Sequence, residues 1–196
     1  MNELLILAAL NREARAASRQ LRGRRITVHV VGIGANHLPA ETARVVLLAG
    51  YAGALAPDLR VGDMVIDDPR GRAAGLPCRY GPIYCSEKIL ATALEKQQAF
   101  ERTGALAVDM ESQRVREWAD RLGADYIGAR AITDAADHPL DPRLLAAVDE
   151  FGRPRPGVIL RRPQMVPAML RLAAATRQAD AALADAVAAI VKLMAP

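Results

Sequence analysis

Two acidic residues, each placed after a strand-like segment, constrain the fold of this chain more than any other feature. The helix-sized segment 113–122 separates Glu111 from the strand-like run 126–132, which leads into Asp134. In a strand–helix–strand unit the carboxyl ends of the two strands meet at one edge of the sheet, where open α/β sheets build ligand crevices. We therefore expect Glu111 and Asp134 to face one ligand.

Short apolar runs alternate with helical segments along most of the chain, and this alternation predicts an α/β fold with a largely parallel or mixed sheet. We find no internal repeat, so the chain is predicted to form a single domain over residues 1–196. Strands are predicted at 4–10, 26–31, 45–49, 61–66, 105–108 and 126–132, and helices at 12–21, 87–100, 113–122 and 168–194. Residues 67–82 are predicted to form a loop, and the proline-rich segment 141–167 cannot be one continuous helix.

Apolar residues at helical spacing form a stripe along the last predicted helix. The stripe consists of Leu183, Val187, Ile190, Val191 and Met194. Such a stripe is expected to pack on the sheet or on a second subunit, and contact with a membrane surface is the less favoured alternative.

The composition excludes several classes of protein. A chain of 196 residues can bury a core without disulfides, and its two cysteines, Cys78 and Cys85, show no metal-type spacing. The N-terminus does not resemble a signal peptide and no apolar run reaches about 18 residues, so we expect a cytoplasmic protein. Nucleic-acid binding is not expected, because no basic stripe with interleaved aromatic residues is present. The arginine cluster at Arg19, Arg22, Arg24 and Arg25 is interpreted as a solvated helix end.

The residues at the strand ends have ordinary structural interpretations as well as functional ones. Asp109 and Ser112 are best interpreted as a helix cap, whereas the two interpretations are nearly even for Glu111 and Asp134. The glycine pair Gly32 and Gly34 lacks the third glycine of a dinucleotide-binding fingerprint. The three histidines share no metal-ligand spacing, and no nucleophile elbow is present, so neither metal catalysis nor serine hydrolysis is expected.

Five segments together resemble the nucleoside phosphorylase and methylthioadenosine/adenosylhomocysteine nucleosidase superfamily. They are Val31-Gly32-Ile33-Gly34, residues 48–55 (LAGYAGAL), residues 59–65 (LRVGDMV), Val108-Asp109-Met110-Glu111-Ser112, and residues 130–137 (RAITDAAD). The resemblance extends from about Leu4 to Asp137. It implies a three-layer α/β/α nucleoside phosphorylase-like fold with a mixed central sheet. It also implies an enzyme that cleaves the N-glycosidic bond of a purine nucleoside.

The resemblance assigns roles to the residues of the two acidic segments. Glu111 is implied to bind the ribose hydroxyls, and Met110 to pack against the sugar. Asp134 is implied to protonate, or hydrogen-bond to, N7 of the leaving purine. An oxocarbenium-like transition state and a poor leaving base make a general acid useful at that place. We expect burial and the neighbouring carboxylate of Asp137 to keep Asp134 protonated.

The resemblance leaves two nucleophiles open. Glu13 aligns with the acidic residue that activates water in the nucleosidases, although it could simply be an acidic residue early in a helix. A phosphorylase instead needs a phosphate cradle, for which Gly32, Gly34 and Tyr51 are the candidates. The small residues Ala52 and Gly53, in a predicted turn after a strand, are candidates for substrate binding.

A narrower resemblance selects the preferred function. Arg161-Arg162-Pro163-Gln164, the alanine-rich C-terminal helix and Thr103-Gly104-Ala105 resemble the hopanoid-associated phosphorylase branch. The preferred interpretation is therefore release of adenine from an adenosyl-lipid with phosphate as acceptor. The alternatives are a hydrolytic methylthioadenosine/adenosylhomocysteine nucleosidase and a non-catalytic nucleoside-binding protein.

Four further expectations follow from the same resemblance. The loop 67–82 is short for the family, which would leave room for a bulky 5′ substituent or else indicate a degraded enzyme. Tyr84 is a candidate for stacking on the purine, its alternative being packing in the core. No cofactor or metal is implied, and a homo-oligomer is expected.

Overall fold

The computed structural model describes residues 2–21, 26–41 and 43–194 of the chain, built around one mixed β-sheet. Arg22, Arg24 and Arg25 of the predicted arginine cluster lie outside these residues. The eight strands are β1 (Asn2–Ala8), β2 (Val28–Val30), β3 (Ala43–Ala54), β4 (Met64–Asp67), β5 (Arg79–Tyr80), β6 (Ile83–Cys85), β7 (Ala107–Asp109) and β8 (Asp125–Asp134).

The sheet runs in the order β2-β1-β3-β8-β4-β5, and β7 and β6 branch from the far end of β3. Strands β2, β1, β3 and β8 are parallel, whereas β4 is antiparallel to β8 and β7 is antiparallel to β3. The predicted mixed sheet is therefore confirmed. The central strands are almost wholly apolar because helices cover both of their faces.

Five α-helices complete the three layers of the fold. They are α1 (Asn11–Ser18), α2 (Ala93–Thr103), α3 (Ser112–Arg121), α4 (Pro156–Arg161) and α5 (Val166–Met194). Helices α1 and α5 pack together on one face of the sheet, and α3 packs on the other face through Val115 and Ala119. Leu183, Val187 and Ile190 are fully buried in the first of these clusters, which confirms that the C-terminal stripe packs on the sheet.

Strand β3 is longer than predicted, and this difference matters for the site. The segment Gly50–Gly53, predicted to be a turn, continues the strand to Ala54 with one irregularity of register between Ala52 and Gly53. The small side chains are needed because other residues crowd the strand there, not because the backbone turns. The first half of β3 thus pairs with β1, and its end pairs with β7.

Helix α2 begins later than predicted, at Ala93 instead of residue 87. The Thr92 side chain accepts a hydrogen bond from the backbone N–H of Glu95, and the Glu95 carboxylate accepts one from the Thr92 N–H. This capping box fixes the start of the helix. Residues 87–92 consequently lie outside the helix, in irregular structure.

The C-terminal third is built as predicted, from short turns followed by one long helix. Two 3-10 turns, Pro142–Ala147 and Pro163–Met165, flank α4 before α5 begins. Of the helices in the described parts of the chain, none is both long and apolar enough to cross a bilayer.

Candidate active site

A cavity of about 430 Å³ lies at the carboxyl ends of β1, β3 and β8. Its lining includes three of the acidic residues singled out from the sequence, namely Glu13, Glu111 and Asp134. All three are buried against the protein, with exposed fractions of 7% or less. The structure therefore brings Glu111 and Asp134 to one cavity, as predicted, but not through a parallel strand–helix–strand unit, because β7 is antiparallel to β3 whereas β8 is parallel to it. Glu13 lies in the same cavity.

Asp109 organises the acidic end of this cavity. One carboxylate oxygen accepts hydrogen bonds from the backbone N–H of Glu111 and from both the N–H and the hydroxyl of Ser112, at 2.7–3.3 Å. The other oxygen accepts from Nε of Arg130 at 2.8 Å and also from its Nη2. The helix-cap interpretation of Asp109 is thus correct but incomplete, because the same carboxylate holds a fully buried guanidinium.

Glu111 occupies the position between Arg130 and the first glycine segment. Its Oε1 accepts a hydrogen bond from the Gly34 N–H at 3.0 Å, and its Oε2 lies 3.7 Å from Arg130 Nη2. Burial raises the pKa of Glu111 to about 7, with Arg130 opposing this rise and the carboxylates of Asp109 and Glu13 adding to it. The side chain therefore changes charge near neutral pH.

Glu13 enters the cavity from the first turn of α1. Its Oε2 accepts a hydrogen bond from the Leu10 N–H and its Oε1 accepts one from the Tyr51 N–H, both at 2.8 Å. Burial raises the pKa of Glu13, while Arg130 and the two backbone donors oppose the rise. A Cβ atom on Gly50 would lie 2.6 Å from Oε1, so only glycine admits the carboxylate at this distance from β3.

Asp134 is paired with a lysine that lies in the interior. Lys96 Nζ donates to Asp134 Oδ2 at 2.6 Å and to the carbonyl oxygens of Ala135 and His138 at 2.7 and 2.9 Å. The Thr133 hydroxyl donates to the other oxygen of Asp134 at 3.0 Å. Lys96 and Asp134 therefore form a buried ion pair beside the cavity.

The expected influence of Asp137 on Asp134 is wrong. Asp137 has a side chain that is 85% exposed, and it contacts Nδ1 of His138 at 3.2 Å. The hydrogen bond from His138 lowers the pKa of Asp137. A solvated carboxylate with a partner of its own exerts little force on the buried one. The charge that faces Asp134 is the cation of Lys96.

The backbone amides predicted to cradle phosphate are already used by the protein. The Gly32 N–H donates to the Ala9 carbonyl at 3.0 Å, the Gly34 N–H to Glu111, and the Tyr51 N–H to Glu13. The Tyr51 hydroxyl donates to Asp180. These four donors already have acceptors in the protein, namely the Ala9 carbonyl and the carboxylates of Glu111, Glu13 and Asp180, and phosphate binding by them stays a prediction.

The remaining wall of the cavity is largely apolar. Met110, Ala52 and Gly53, all candidates for substrate binding, lie in it, and a Cβ atom on Gly53 would approach Asp134 Oδ2 to 2.8 Å. The other apolar residues of the lining are not predicted as site residues from the sequence: Leu10, Ile33, Ile89, Leu90, Leu140, Leu144, Leu145, Val148, Met169, Leu172 and Ala173.

Two expectations concern the cavity wall. None of the described residues 67–82 lines the cavity, and the room that the short loop would leave for a 5′ substituent stays a prediction. Tyr84 is likewise absent from the described lining. Its ring packs on the cluster around Val108, and its hydroxyl accepts a hydrogen bond from Arg102 at 3.1 Å. The core-packing interpretation of Tyr84 therefore accounts for its position.

Sequence reasoning missed two residues that hold the site, Arg130 and Lys96. A signal existed for both. Arg130 interrupts an otherwise apolar strand, and a charge there must find a buried partner. Lys96 is one of only three lysines among 26 basic residues. Within the described residues, no group of three His, Cys, Asp or Glu side chains is placed to hold a metal ion.

Comparison with known families agrees with this site. Residues 70–160 match a family model described as the phosphorylase superfamily. This segment contains Asp109, Glu111, Arg130 and Asp134, so the superfamily predicted from the sequence is supported where the site is built. Comparison with curated proteins gives no significant match.

Solved structures with the same fold include nucleosidases and a related hydrolase. The 5′-methylthioadenosine/S-adenosylhomocysteine nucleosidase of Helicobacter pylori, bound to butyl-thio-DADMe-Immucillin-A, superimposes with a TM-score of 0.71 at 15% identity over 98% of both chains. The futalosine hydrolase of Helicobacter pylori gives 0.70 at 15% identity over 97% of both chains.

The corresponding nucleosidase from Neisseria meningitidis, in complex with methylthio-immucillin-A, gives a TM-score of 0.68 at 17% identity. The match covers 98% of this chain and 99% of that one. The nucleoside phosphorylase-like fold is thereby confirmed. Fold and family match together support a nucleoside phosphorylase or nucleosidase as the class of enzyme.

Proposed function

We propose that this protein hydrolyses the N-glycosidic bond of a purine nucleoside of the adenosyl type that carries an apolar 5′ substituent. One observation carries the proposal. Glu13, Glu111 and Asp134 line a single cavity whose remaining lining is largely apolar. The three carboxyl groups can interact with the sugar, the base and the nucleophile, and the apolar residues can contact the 5′ substituent of the sugar.

Glu111 and Glu13 are suited to the sugar end of the reaction. The transition state of glycoside cleavage carries positive charge on the sugar ring, and fixed carboxylates stabilise that charge. Ionised Glu111 accepts hydrogen bonds from the ribose hydroxyls in this proposal. Glu13, with its raised pKa, removes the proton from the attacking water.

Asp134 is suited to the departing base. In this proposal the proton shared between Lys96 Nζ and Asp134 Oδ2, which lie 2.6 Å apart, passes through the Asp134 carboxyl group to N7 as the glycosidic bond breaks. Glu13 takes up the proton that the attacking water releases, so the two proton transfers balance. Protonation makes the purine a better leaving group, and protonation of N7 or a hydrogen bond to it is the role that the resemblance implies for Asp134.

Water is favoured over phosphate as the nucleophile. The amides of Gly32, Gly34 and Tyr51 already donate to protein oxygens. A phosphate dianion would also approach the carboxyl groups of Glu13 and Glu111. The repulsion between two like charges 4 Å apart is roughly 4 kcal/mol even near a protein surface. Neutral water meets no such barrier.

The identity of the 5′ substituent separates two candidate substrates. The apolar wall from residues 140–148 and 169–173 supports an adenosyl-lipid, which is the substrate type implied by the resemblance to hopanoid-associated phosphorylases. The smaller candidates are methylthioadenosine and adenosylhomocysteine, which name the nucleosidases of the same fold.

Adenine release provides the test. The protein is incubated with methylthioadenosine and with an adenosyl compound bearing a long alkyl 5′ group, with and without inorganic phosphate, and free adenine is measured. We expect release that does not depend on phosphate and is faster for the alkyl compound. Phosphate-dependent release would overturn hydrolysis, and nucleoside binding without release would overturn catalysis.

Two substitutions make the assay specific to the site. Asp134→Asn keeps an oxygen for Lys96 but loses the charge, so adenine release should fall by about 100-fold or more. Asp137→Asn is the matched control, because the same change three residues away alters an exposed side chain. Equal activity of the two variants would end the assignment of Asp134.

A further inference from the structure

One long segment of this chain has an extreme charge imbalance. Residues 151–179 contain six arginines and no aspartate or glutamate, although the whole chain has a net charge of only +4. The arginines are Arg153, Arg155, Arg161, Arg162, Arg171 and Arg177. None of the six forms a salt bridge with any residue that the structure describes, and all six are exposed.

The acidic residues that flank this segment are already engaged. Glu150 lies 3.1 Å from His37 Nε2, and Asp180 accepts a bidentate hydrogen-bond pair from Arg12 at 2.9 and 3.3 Å. Asp149 lies close enough to Arg153 and Arg155 for their charges to lower its pKa, so it offsets the charge at that end of the segment only. The other four arginines form no ion pair with any residue that the structure describes.

The same segment carries exposed apolar side chains. Leu160 at the end of α4 is 81% exposed, and Leu170 in the second turn of α5 is 63% exposed. Val166, which is 38% exposed, precedes Leu170 by four residues and so lies on the same side of α5. Large apolar side chains interspersed with arginines are typical of surfaces that lie in a lipid headgroup region.

This surface adjoins the proposed active site. Met169, Leu172 and Ala173 of α5 line the cavity. Val166 and Leu170 belong to the same turns of α5 and lie on the neighbouring side of the helix. A ligand whose apolar part leaves the cavity along Met169 and Ala173 would emerge beside the exposed leucine.

We propose that residues 153–171 form a docking surface for an anionic lipid bilayer. The arginines attract acidic headgroups, and Leu160, Val166 and Leu170 enter the boundary with the acyl chains. Docked in this way, the cavity opens towards the layer in which an apolar nucleoside is dissolved. The choice of an adenosyl-lipid rests on the proposed function, but the docking itself does not.

Charge decides between a bilayer and a second copy of the chain. An isologous dimer centred on residues 153–171 would place their five arginines against the same five of the other copy, and the segment itself contains no acidic residue. An anionic membrane supplies the missing charge. Each arginine near such a surface is expected to raise partitioning about fivefold.

Vesicle binding without any nucleoside tests the proposal. The full chain is sedimented with vesicles of phosphatidylglycerol and phosphatidylcholine, and with vesicles of phosphatidylcholine alone. We expect binding to the anionic vesicles only, weakened by salt because screening reduces the attraction. The variants L160S/L170S and R161S/R162S should each weaken binding about tenfold or more.

Leu94→Ser is the matched control, because Leu94 is 61% exposed on α2 outside the segment, and it should bind as the unmodified chain does. The L160S/L170S variant should keep its rate on soluble methylthioadenosine, so that docking and catalysis can fail separately. Equal binding to both kinds of vesicle, no binding, or equal loss in the Leu94 variant would overturn the proposal. A concentration-dependent dimer that L160S/L170S abolishes would assign the surface to self-association instead.

Discussion

At the scale of single residues, the site depends on charges that are buried and paired. Lys96 and Asp134 are both almost completely excluded from solvent, and the lysine makes three hydrogen bonds. Taking one charge away leaves the other without its partner in the interior, which usually costs about 3–5 kcal/mol. Lys96 therefore both stabilises the fold and positions Asp134.

A double-mutant cycle measures this dependence. Lys96→Met and Asp134→Asn should each lower the free energy of unfolding by about 3 kcal/mol, whereas the double variant should lose clearly less than the sum. Denaturant unfolding gives the values. The exposed pair Lys88–Glu95, 3.6 Å apart, serves as the control and should show a coupling below about 1 kcal/mol. Additive effects at Lys96 and Asp134 would contradict the pairing.

Glu111 makes stability depend on pH in a predictable direction. Its ordinary pKa is 4.5, and burial raises the pKa of Glu111 to about 7 in the folded protein. Between these values the folded state binds more protons than the unfolded state. The contribution of Glu111 to stability is therefore complete below pH 4.5 and is lost as the pH rises through about 7.

The Glu111→Gln variant tests this direction. The free energy of unfolding of the unmodified protein, minus that of the variant, should fall by about 3 kcal/mol between pH 4.5 and pH 8. Denaturant unfolding at a series of pH values supplies the difference. A difference that stays constant, or rises with pH, would show that Glu111 is not desolvated in this way.

At the scale of elements, β3 is the part of the fold that assembles the site. Its end carries Ala52 and Gly53 into the cavity. A Cβ atom added to Gly50, just before Tyr51, would collide with both Glu13 and Arg130. A larger side chain at Gly50 would push the Glu13 carboxylate away from the Tyr51 N–H. The strand therefore needs small residues where it passes between charged groups.

Gly50→Ala should accordingly damage both activity and stability. We expect adenine release to fall about 100-fold, because a displacement of this size misplaces a reacting group, and the free energy of unfolding to fall by about 1–3 kcal/mol. Gly157→Ala is the control, since a Cβ atom there meets nothing within 4 Å. A Gly50→Ala variant with full activity would show that Glu13 need not stay at its present distance from β3.

The boundaries of the helices and strands show which elements can be predicted from local sequence patterns. The buried strands β1, β3 and β8 and the helices α1, α3 and α5 follow from apolar runs and helical periodicity in the sequence. The late start of α2 at Ala93 depends on a capping box at Thr92, which is a local signal in the sequence for the first turn of a helix. The continuation of β3 through two glycines could not be predicted, because glycine after an apolar run usually signals a turn.

At the scale of the whole molecule, the cavity is shared by two distant parts of the chain. The polar end comes from the strand ends and α1, and the apolar end comes largely from residues 140–148 and 169–173. These parts meet because α5 packs on α1 and on the sheet, with Arg12 paired to Asp180 at the junction. The selectivity for the 5′ group is thus a property of the assembled chain.

A series of 5′-alkylthioadenosines should reveal this selectivity. Each added methylene that enters the apolar part of the cavity should lower KM about fourfold, until the chain reaches solvent. Leu172→Asn should flatten the dependence without changing the reaction of adenosine itself, and the exposed Leu94→Asn should leave it as it is. A KM independent of alkyl length would contradict an apolar 5′ pocket.

The sequence by itself predicted the α/β architecture and the convergence of Glu111 and Asp134, and its family resemblance implied that Glu13 lies near them. The architecture can be predicted because buried strands appear as short apolar runs. Only the tertiary structure decided how Glu111 and Asp134 converge, since β7 and β8 run in opposite directions. It also decided which charges pair, since Lys96 meets Asp134, and Arg130 meets Asp109, across 38 and 21 residues of chain. The amides of Gly34 and Tyr51 donate to carboxylates, and the C-terminal third supplies much of the apolar wall. Such contacts depend on packing between distant segments, which no local spacing records.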